Sequence, residues 1–241
     1  RSAAAVRALS DVLEESEARA KNAAPRETKL PRLSIVVTAC NEERDVAACV
    51  ERFLAQEGVD LELIVVDDRS TDRTPEILDA LVERRGDDDR LVVIHNRELP
   101  EGRLVKCNAC AVVAARASGE WILFADGDVT LVERNVLARV VAFAERERFD
   151  HVAVFPDLRP QTFFQEATVN IFGSLYFQGV RVWEMERDLP RGGGGVGAFN
   201  LMRRTSYDRV GGHDLLMMDT ADDFKLGRLL KESGARQRMY H

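Results

Sequence analysis

The sequence has few cysteines, no long apolar run and fewer positive than negative charges. Its four cysteines are too few and too scattered for the disulfide framework of a small secreted domain, which favours a reducing compartment. No apolar segment approaches the ~20 residues of a membrane-spanning helix. With 34 Lys and Arg against 41 Asp and Glu, the net charge of −7 excludes the basic field of a general nucleic-acid binder. The remaining composition, 45% hydrophobic over 241 residues, is that of a globular chain that can bury a full core.

Two of the cysteines, Cys107 and Cys110, have the spacing of a metal-binding or redox motif. No second pair with this spacing exists, and both positions fall on one face of a helix predicted over 106–117. We therefore expect two small core residues, with a zinc or redox site as the alternative.

The first 30 residues are rich in Ala, Arg and Glu and differ from the rest of the chain. Val6, Leu9 and Leu13 have helical spacing, and Pro25 and Pro31 separate this short helix from the first predicted strand. We expect a linker that packs loosely on the domain beginning at residue 31. Docking on a membrane or a partner is the alternative.

Short apolar strands alternate with helices beyond residue 31. The predicted strands cover 33–38, 61–66, 91–95, 121–125 and 151–155, and the predicted helices cover 41–57, 74–85, 106–117 and 132–148. This alternation is typical of an α/β domain with a largely parallel sheet and helices on both faces. The later part of the chain predicts an aromatic-rich helix over 162–186, a Gly-rich loop over 191–197, a strand over 198–202 and a helix over 221–232. We expect most aromatics of the first of these helices to pack against the sheet, with a groove for an acceptor or a lipid as the alternative.

Polar and acidic residues follow three of the predicted strands. They are Thr38, Asn41 and Glu42 after the first strand, Asp67, Asp68, Ser70 and Asp72 after the second, and Asp126 and Asp128 after the fourth. The carboxyl ends of parallel strands share one rim, where ligands bind in open α/β sheets. A single polar or acidic residue there is commonly a helix cap, as we expect for Ser70 and Asp72. Acids after three strands repel one another unless a cation or ligand hydroxyls offset their charge, so they predict a binding site.

Asp126-Gly127-Asp128 is the sharpest of these motifs. Two carboxylates one residue apart, joined by a glycine, can face the same divalent cation. Mg²⁺ and Mn²⁺ prefer oxygen ligands, take few from the protein, and complete their shell with water and substrate phosphates.

Lys106 and the pair Asp222-Asp223 lie at the starts of two predicted helices. Lys106 is placed to reach a phosphate, with a solvated cation as the alternative. Acids in a first helical turn commonly complement the helix dipole. Two of them beside a Gly-rich loop also suit a general base held by its neighbour.

Taken in order, these motifs resemble the family 2 glycosyltransferases with the GT-A fold. The resemblance runs from about residue 33 to the C-terminus. The segment 195–204, followed by Gly211-Gly212-His213 and Asp222-Asp223, looks most like bacterial membrane enzymes similar to ceramide glucosyltransferases and hopanoid-associated glycosyltransferases. The resemblance implies a Rossmann-like catalytic domain over 31–241, with a nucleotide-binding half over 31–130 and an acceptor half over 131–241.

The resemblance also implies a donor site. The donor would be a nucleotide sugar, a UDP-hexose in the closest branch. Thr38 and Asp68 would hold the uracil, with Asn41 and Glu42 nearby and Lys106 toward the phosphates.

It further implies a metal-dependent, inverting transfer to an acceptor hydroxyl, on a lipid or a saccharide. Asp126 would lie beside the ribose and the metal, and Asp128 would bind the Mn²⁺ or Mg²⁺ that bridges the diphosphate. Asp223 would deprotonate the acceptor, with Asp222 beside it. Many family members carry Glu-Asp at this pair, so the shorter Asp222 departs from the common pattern.

Because the chain starts at Arg1 without an initiator Met, we expect a segment of a longer protein. We expect that protein on the cytoplasmic side of a bacterial inner membrane, anchored by segments outside this chain. Two alternatives remain for the function. Asp126 begins a DxDxT pattern that resembles the nucleophile loop of haloacid-dehalogenase-type phosphatases, although three strands precede it here. The other alternative is a nucleotide-binding module without catalytic activity.

Overall fold

A computed structural model describes residues 7–21, 29–97, 105–158, 160–216 and 219–241. The strands are β1 (Leu33–Ala39), β2 (Leu61–Asp68), β3 (Leu91–Asn96), β4 (Trp121–Asp126), β5 (His151–Val154), β6 (Asn200–Arg203) and β7 (Gln237–Tyr240). The helices are α1 (Leu9–Lys21), α2 (Val46–Leu54), α3 (Thr74–Arg85), α4 (Val105–Ala114), α5 (Val136–Glu147), α6 (Phe163–Val180), α7 (Val182–Met185), α8 (Arg204–Arg209) and α9 (Asp222–Glu232), with a 3₁₀ helix over Gly212–Leu216.

The strands form one sheet in the order β3-β2-β1-β4-β6-β5-β7. Strands β1 to β4 are mutually parallel where they pair, and β5 runs parallel to β7. Only β6, among the described strands, is antiparallel to its neighbours β4 and β5. The predicted α/β class with a mostly parallel sheet is confirmed. The register sets Thr38 between Val66 and Asp126, so the strand ends that carry polar residues are adjacent.

Helices cover both faces of the sheet, as predicted. Side chains alternate along a strand, so Ile35 and Val37 point to one layer and Val36 to the other. The first layer packs β1 and β2 against α2, α3 and α5, and the second packs them against α4 and α9. The sheet is therefore held between two apolar layers, and its carboxyl-end rim is left for the polar residues.

The N-terminal helix is part of the core, and the expected loose linker is wrong for residues 9–21. Val12 and Leu13 of α1 are buried in the same apolar layer as α5. Glu17 forms a 2.7 Å ion pair with Arg139 of α5. Leu9 and Leu13, two of the residues that predicted the helix, therefore pack on the protein, while the third, Val6, lies outside the described residues.

Several predicted boundaries change where the backbone takes a left-handed conformation. Helix α2 begins at Val46 instead of 41, because Asn41 has φ 59° and lies in a loop. The aromatic-rich helix α6 ends at Val180, because Arg181 has φ 55°, and the short α7 follows. The sequence did not predict α8 or β7, a four-residue edge strand beginning Gln-Arg. None of the helices in the described part of the chain is long and apolar enough to span a bilayer.

The cysteine pair behaves as core. Cys107 and Cys110 are both buried on α4, and neither forms a disulfide. Burial, followed by the charge of Asp222, raises the pKa of Cys107 to about 11. A thiol with this pKa stays protonated, which is not the form that binds zinc or attacks a disulfide.

Candidate active site

A cavity of about 340 Å³ opens at the carboxyl ends of β1, β2 and β4. It is lined by Thr38, Ala39, Cys40, Glu42, Asp68, Asp126, Gly127 and Asp128. The structure thus brings together five of the residues predicted for donor and metal binding: Thr38, Glu42, Asp68, Asp126 and Asp128. They come from three strand ends that the parallel register places side by side.

Asn41 has a different position from the one predicted, since it does not appear among the described residues that line this cavity. Its backbone N–H donates to Ser70 Oγ at 3.0 Å, and its side-chain Oδ1 accepts from the Thr71 N–H at 2.8 Å. The Glu42 N–H donates to Thr74 Oγ1 at 2.8 Å. Asn41 therefore ties the loop after β1 to the loop after β2, which fixes the two loops that carry the cavity walls.

Asp67 belongs to the same scaffold. It is fully buried, and its Oδ1 accepts from the Ser70 N–H at 3.2 Å. Its Oδ2 lies 2.8 Å from His95 Nδ1, while His95 Nε2 lies 2.9 Å from Asp79 Oδ1. An imidazole can donate from both nitrogens only when it is protonated, so this arrangement favours imidazolium and offsets the charge of Asp67. His95, at the end of β3, is a site-supporting residue that the sequence did not single out.

The two contacts of His95 with Asp67 and Asp79, which we call the His95 clamp, predict that the stability of the fold depends on pH. Burial disfavours the imidazolium, but hydrogen bonds to Asp67 and Asp79 outweigh it and raise the pKa of His95 above its ordinary 6.5. A raised folded-state pKa stabilises fully below the unfolded pKa, and the contribution is lost as pH rises through the folded pKa. We expect His95→Gln to lower the melting temperature by at least about 2 °C at pH 6 and by less at pH 9.

Thermal unfolding of both proteins between pH 6 and pH 9 checks this prediction. Asp79→Asn is the matched control, because it removes the outer carboxylate of the clamp and should give a smaller effect with the same dependence on pH. A difference between His95→Gln and the wild type that stays constant or grows with pH would contradict the clamp.

Asp68 lines the cavity, and its two carboxylate oxygens have different surroundings. Its Oδ1 accepts from Asn96 Nδ2 at 3.0 Å and lies 3.5 Å from Arg69 Nε. Its Oδ2 is buried and has no hydrogen-bond partner among the described residues. Burial raises the pKa of Asp68, against the lowering effects of Arg69 and Asn96. A buried acceptor of this kind is costly unless a donor reaches it, so it suits an N–H of a bound heterocycle.

The opposite wall of the cavity concentrates negative charge. Burial raises the pKa of Glu42, and the carboxylates of Asp128, Asp45 and Asp126 raise it further. Among the described residues, no group of three or more His, Cys, Asp or Glu side chains is arranged to hold a metal ion alone. Two carboxylates with substrate phosphates are a usual shell for Mg²⁺, so Asp126 and Asp128 fit a divalent cation that arrives with a diphosphate.

A second cavity, of about 320 Å³, adjoins the first and shares Asp126 with it. Its lining is mostly apolar: Phe155, Pro156, Leu158, Phe172, Tyr176, Gly195, Val196, Gly197, Ala198, Ala221 and Phe224, with Asp126 and Asp223 as its acids. A carboxylate at the edge of an apolar cavity, next to the acidic one, is placed to receive a proton from a bound hydroxyl.

The two acids at the start of α9 differ in position. Asp223 is partly exposed and faces the second cavity. Asp222 is buried, and its Oδ2 lies 3.9 Å from His213 Nε2. Neighbouring helical residues point about 100° apart, so the pair cannot face one ligand together. The structure assigns the cavity to Asp223 and the protein interior to Asp222.

The Gly-rich loop shapes the wall around Asp223. A methyl group at Gly195 would lie 2.5 Å from the backbone oxygen of Asp223 and 2.7 Å from Asn200 Oδ1. The Tyr176 hydroxyl donates to the Gly195 carbonyl. Burial, with a further contribution from the charge of Asp223, raises the pKa of Tyr176. Gly195 lies in the predicted Gly-rich loop and Tyr176 in the predicted aromatic-rich helix, but the sequence did not predict the contact between them.

Lys106 lies in the first turn of α4, and its side chain is outside the described part of the structure. Its contact with a phosphate stays a prediction.

Known proteins resemble this chain in both sequence and fold. The model of the family described as glycosyl transferase family 2 matches residues 34–211. The succinoglycan biosynthesis protein ExoO of Rhizobium meliloti is 35% identical over 121 residues, which are 50% of this chain and 32% of that protein. The PGL/p-HBAD biosynthesis glycosyltransferase of Mycobacterium bovis is 33% identical over 123 residues, 51% of this chain and 45% of that protein. The chain therefore aligns with less than half the length of these relatives.

The fold has solved counterparts. The mannosyltransferase PcManGT of Pyrobaculum calidifontis, in complex with GDP-Man and Mn²⁺, superposes with a TM-score of 0.65 at 22% identity, over 95% of this chain and 62% of that one. TarS of S. aureus in complex with UDP-GlcNAc gives a TM-score of 0.53 at 17% identity, over 86% of this chain and 55% of that one. These neighbours confirm the expected GT-A fold.

Proposed function

The chain belongs to glycosyl transferase family 2, and on that premise we propose that it transfers a hexose from a UDP-sugar to an acceptor hydroxyl, with inversion and with a divalent metal. Membership of this family argues against the haloacid-dehalogenase-type phosphatase that the DxDxT pattern left as an alternative. The observation that carries the proposal is the junction of two cavities, one acidic and one apolar, that share Asp126. Residues 31–130 supply most of the acidic cavity, and residues 131–241 supply most of the apolar one.

Asp68 and Thr38 would bind the base of the donor. Asp68, which lines the acidic cavity, would accept a hydrogen bond from the N3–H of uracil. Asn41 and Asp67 hold the loops around this contact and need not touch the nucleotide. Because a guanine also presents N–H groups to a carboxylate, the choice of UDP over GDP is a point to test, and neighbours of both kinds are known.

Asp126 and Asp128 would hold the metal, Mn²⁺ or Mg²⁺. A bound divalent cation neutralises the charge that develops on the departing diphosphate. Glu42 borders the same wall, where burial, and then the charges of Asp128, Asp45 and Asp126, raise its pKa. Binding of a nucleoside diphosphate, itself an anion, to this wall therefore depends on the metal.

Asp223 would act as the general base. It lines the apolar cavity, while the diphosphate would lie in the acidic cavity beyond Asp126. An acceptor hydroxyl bound near Asp223 gives up its proton as its oxygen attacks the anomeric carbon from the side opposite the leaving group. Attack from that side inverts the configuration. Asp222, which is buried beside His213, would position Asp223 by anchoring the start of α9.

The acceptor would be a lipid that carries a hydroxyl, because the cavity around Asp223 is lined mostly by apolar side chains. A saccharide acceptor is the alternative for the same site. We also propose that the protein resembles the ceramide-glucosyltransferase-like enzymes in function. It would then work on the cytoplasmic side of a bacterial membrane.

The direct test is release of UDP from a panel of UDP-hexoses, with hydroxylated lipids as acceptors and Mn²⁺ or Mg²⁺ present. We expect at least one donor to turn over, only with metal, and NMR of the product to show the anomeric configuration opposite to that of the donor. UDP binding without turnover of any donor would favour a catalytically silent module. Product with retained configuration would contradict the role of Asp223.

A further inference from the structure

Helix α6 exposes an unusual amount of apolar surface. Phe163 and Phe164 are 78% and 82% exposed, and Ile171, Phe172 and Leu175 are between 57% and 63% exposed. At about 100° per residue, Phe164, Ile171 and Leu175 fall within about 40° of one another, with Phe163 and Phe172 on either side. We call these five residues the α6 apolar face. It extends about 16 Å along the helix from Phe164 to Leu175.

The opposite side of α6 packs on the protein. Gly173 and Val180 are buried, and Tyr176 and Phe177 contact Phe155. One side of the second half of the helix is thus covered by described residues, while the α6 apolar face is exposed and has the exposed Thr168 between its Phe164 and Ile171. Glu166, the sole charged residue in the helix sequence, lies on the side away from the α6 apolar face. Large uncharged apolar patches on soluble surfaces mark sites where a protein or a membrane binds.

The α6 apolar face is continuous with the cavity that contains Asp223. Phe172 belongs to both, and Tyr176, one turn further along the helix, lines the cavity only. Leu158, 42% exposed, forms the cavity wall on the other side. A partner or membrane that covers the α6 apolar face would therefore also border the opening of the Asp223 cavity, through which an acceptor would enter.

We propose that the α6 apolar face lies on the surface of a lipid bilayer and that the mouth of the Asp223 cavity opens toward the lipids, from which a lipid acceptor enters. This inference rests on the proposed function for the identity of the acceptor. A rigid protein partner on the face would border the mouth with fixed atoms, whereas a fluid lipid surface covers the face and leaves the mouth accessible. The face carries no charge and the chain carries −7, so docking depends on apolar contact and gains nothing from anionic lipids.

Co-sedimentation of the 241-residue chain with phosphatidylcholine vesicles tests the proposal. The variant Ile171→Ser/Leu175→Ser removes two exposed side chains that lie outside the cavity lining, so it should fold normally. The matched control Val132→Ser/Leu215→Ser removes two side chains that are 82% and 69% exposed elsewhere. We expect the α6 variant to lower the vesicle partition coefficient at least about tenfold, and the control to change it less than twofold. High salt should not weaken binding.

Three results would overturn the docking proposal: no binding of the wild type to vesicles, an equal loss in the control, or a wild-type dimer that the α6 variant converts to monomer. The last result would assign the face to a second copy of the chain. UDP turnover with a short-chain, water-soluble acceptor is measured in parallel. If the wild type turns over UDP-sugar normally but does not bind vesicles, the docking surface alone is contradicted, whereas absence of turnover in the wild type contradicts the proposed function.

Discussion

Replacement of Asp223 by asparagine is expected to lower the rate of sugar transfer by about 10²–10⁴-fold. The amide keeps the size of the side chain but cannot accept the proton of the acceptor hydroxyl. Asp223 lines the apolar cavity and does not line the acidic one, so the affinity for UDP should not change. Steady-state rates with a lipid acceptor, together with calorimetry of UDP binding, measure the two effects separately.

Asp222→Asn is the matched control for this prediction, since the two acids are adjacent in the same helical turn. Asp222 is buried against His213 and reaches no acceptor, so its replacement should lower the rate less than Asp223→Asn does. It should also lower the melting temperature, because Asp222 is buried and its replacement disturbs the polar groups that pack around it. If Asp223→Asn keeps more than a tenth of the wild-type rate, or Asp222→Asn is the more damaging change, the base is wrongly assigned.

The second large effect is expected from Asp128→Ala. We expect UDP affinity in the presence of Mn²⁺ to fall at least about 100-fold, because the variant loses one of the two carboxylates that hold the cation. Asp128 is exposed at the cavity wall, so the melting temperature of the chain without ligand should stay the same. Titration calorimetry with UDP and Mn²⁺ gives the affinity.

Asp45→Ala separates metal binding from general charge. Asp45 is also exposed, and its charge also raises the pKa of Glu42, but it is not among the residues that line the cavity. Removing it should change UDP affinity by less than about threefold. An equal loss in both variants would mean that Asp128 acts only through the total charge of the rim, and unchanged affinity in Asp128→Ala would remove it from the metal site.

The first half of the chain is well predicted from sequence because its signals are local. Runs such as LSIVVT and LELIVV are short and rich in β-branched residues, which favours buried strands, and helices between them favour parallel pairing. The polar residues at the strand ends then meet at one rim without further information. Thr38, Asp68 and Asp126 were found in this way, and the cavity contains all three.

What the sequence could not show is how the acids divide their work. Asp67 and Asp68 are adjacent, yet one is neutralised by His95 and the other faces the cavity. The partner of Asp67 is 28 positions away on β3, and no pattern within β2 indicates it. Asn41 similarly bonds the loop after β2 instead of lining the cavity.

The second half was harder to predict because its contacts are long-range and its strands are short. β7 has four residues, too few for an alternating pattern to stand out, whereas β6, equally short, overlaps the strand predicted over 198–202. The aromatics of α6 were expected mainly as core, with an acceptor or lipid groove as the alternative. Tyr176 and Phe177 do pack inward, whereas Phe163, Phe164 and Phe172 are exposed. Only the position of the helix on the domain separates the two groups.

If the acidic cavity binds a nucleoside diphosphate together with a divalent metal, calorimetric titration of the wild-type chain with UDP will detect the binding and its dependence on the metal. The titration is made with Mn²⁺ and again with EDTA, and GDP replaces UDP in a third experiment. We predict measurable binding of UDP with Mn²⁺, at least about 100-fold weaker binding in EDTA, and weaker binding of GDP than of UDP. Equal affinity for UDP with and without metal, or no binding of either nucleotide with Mn²⁺, would contradict the account.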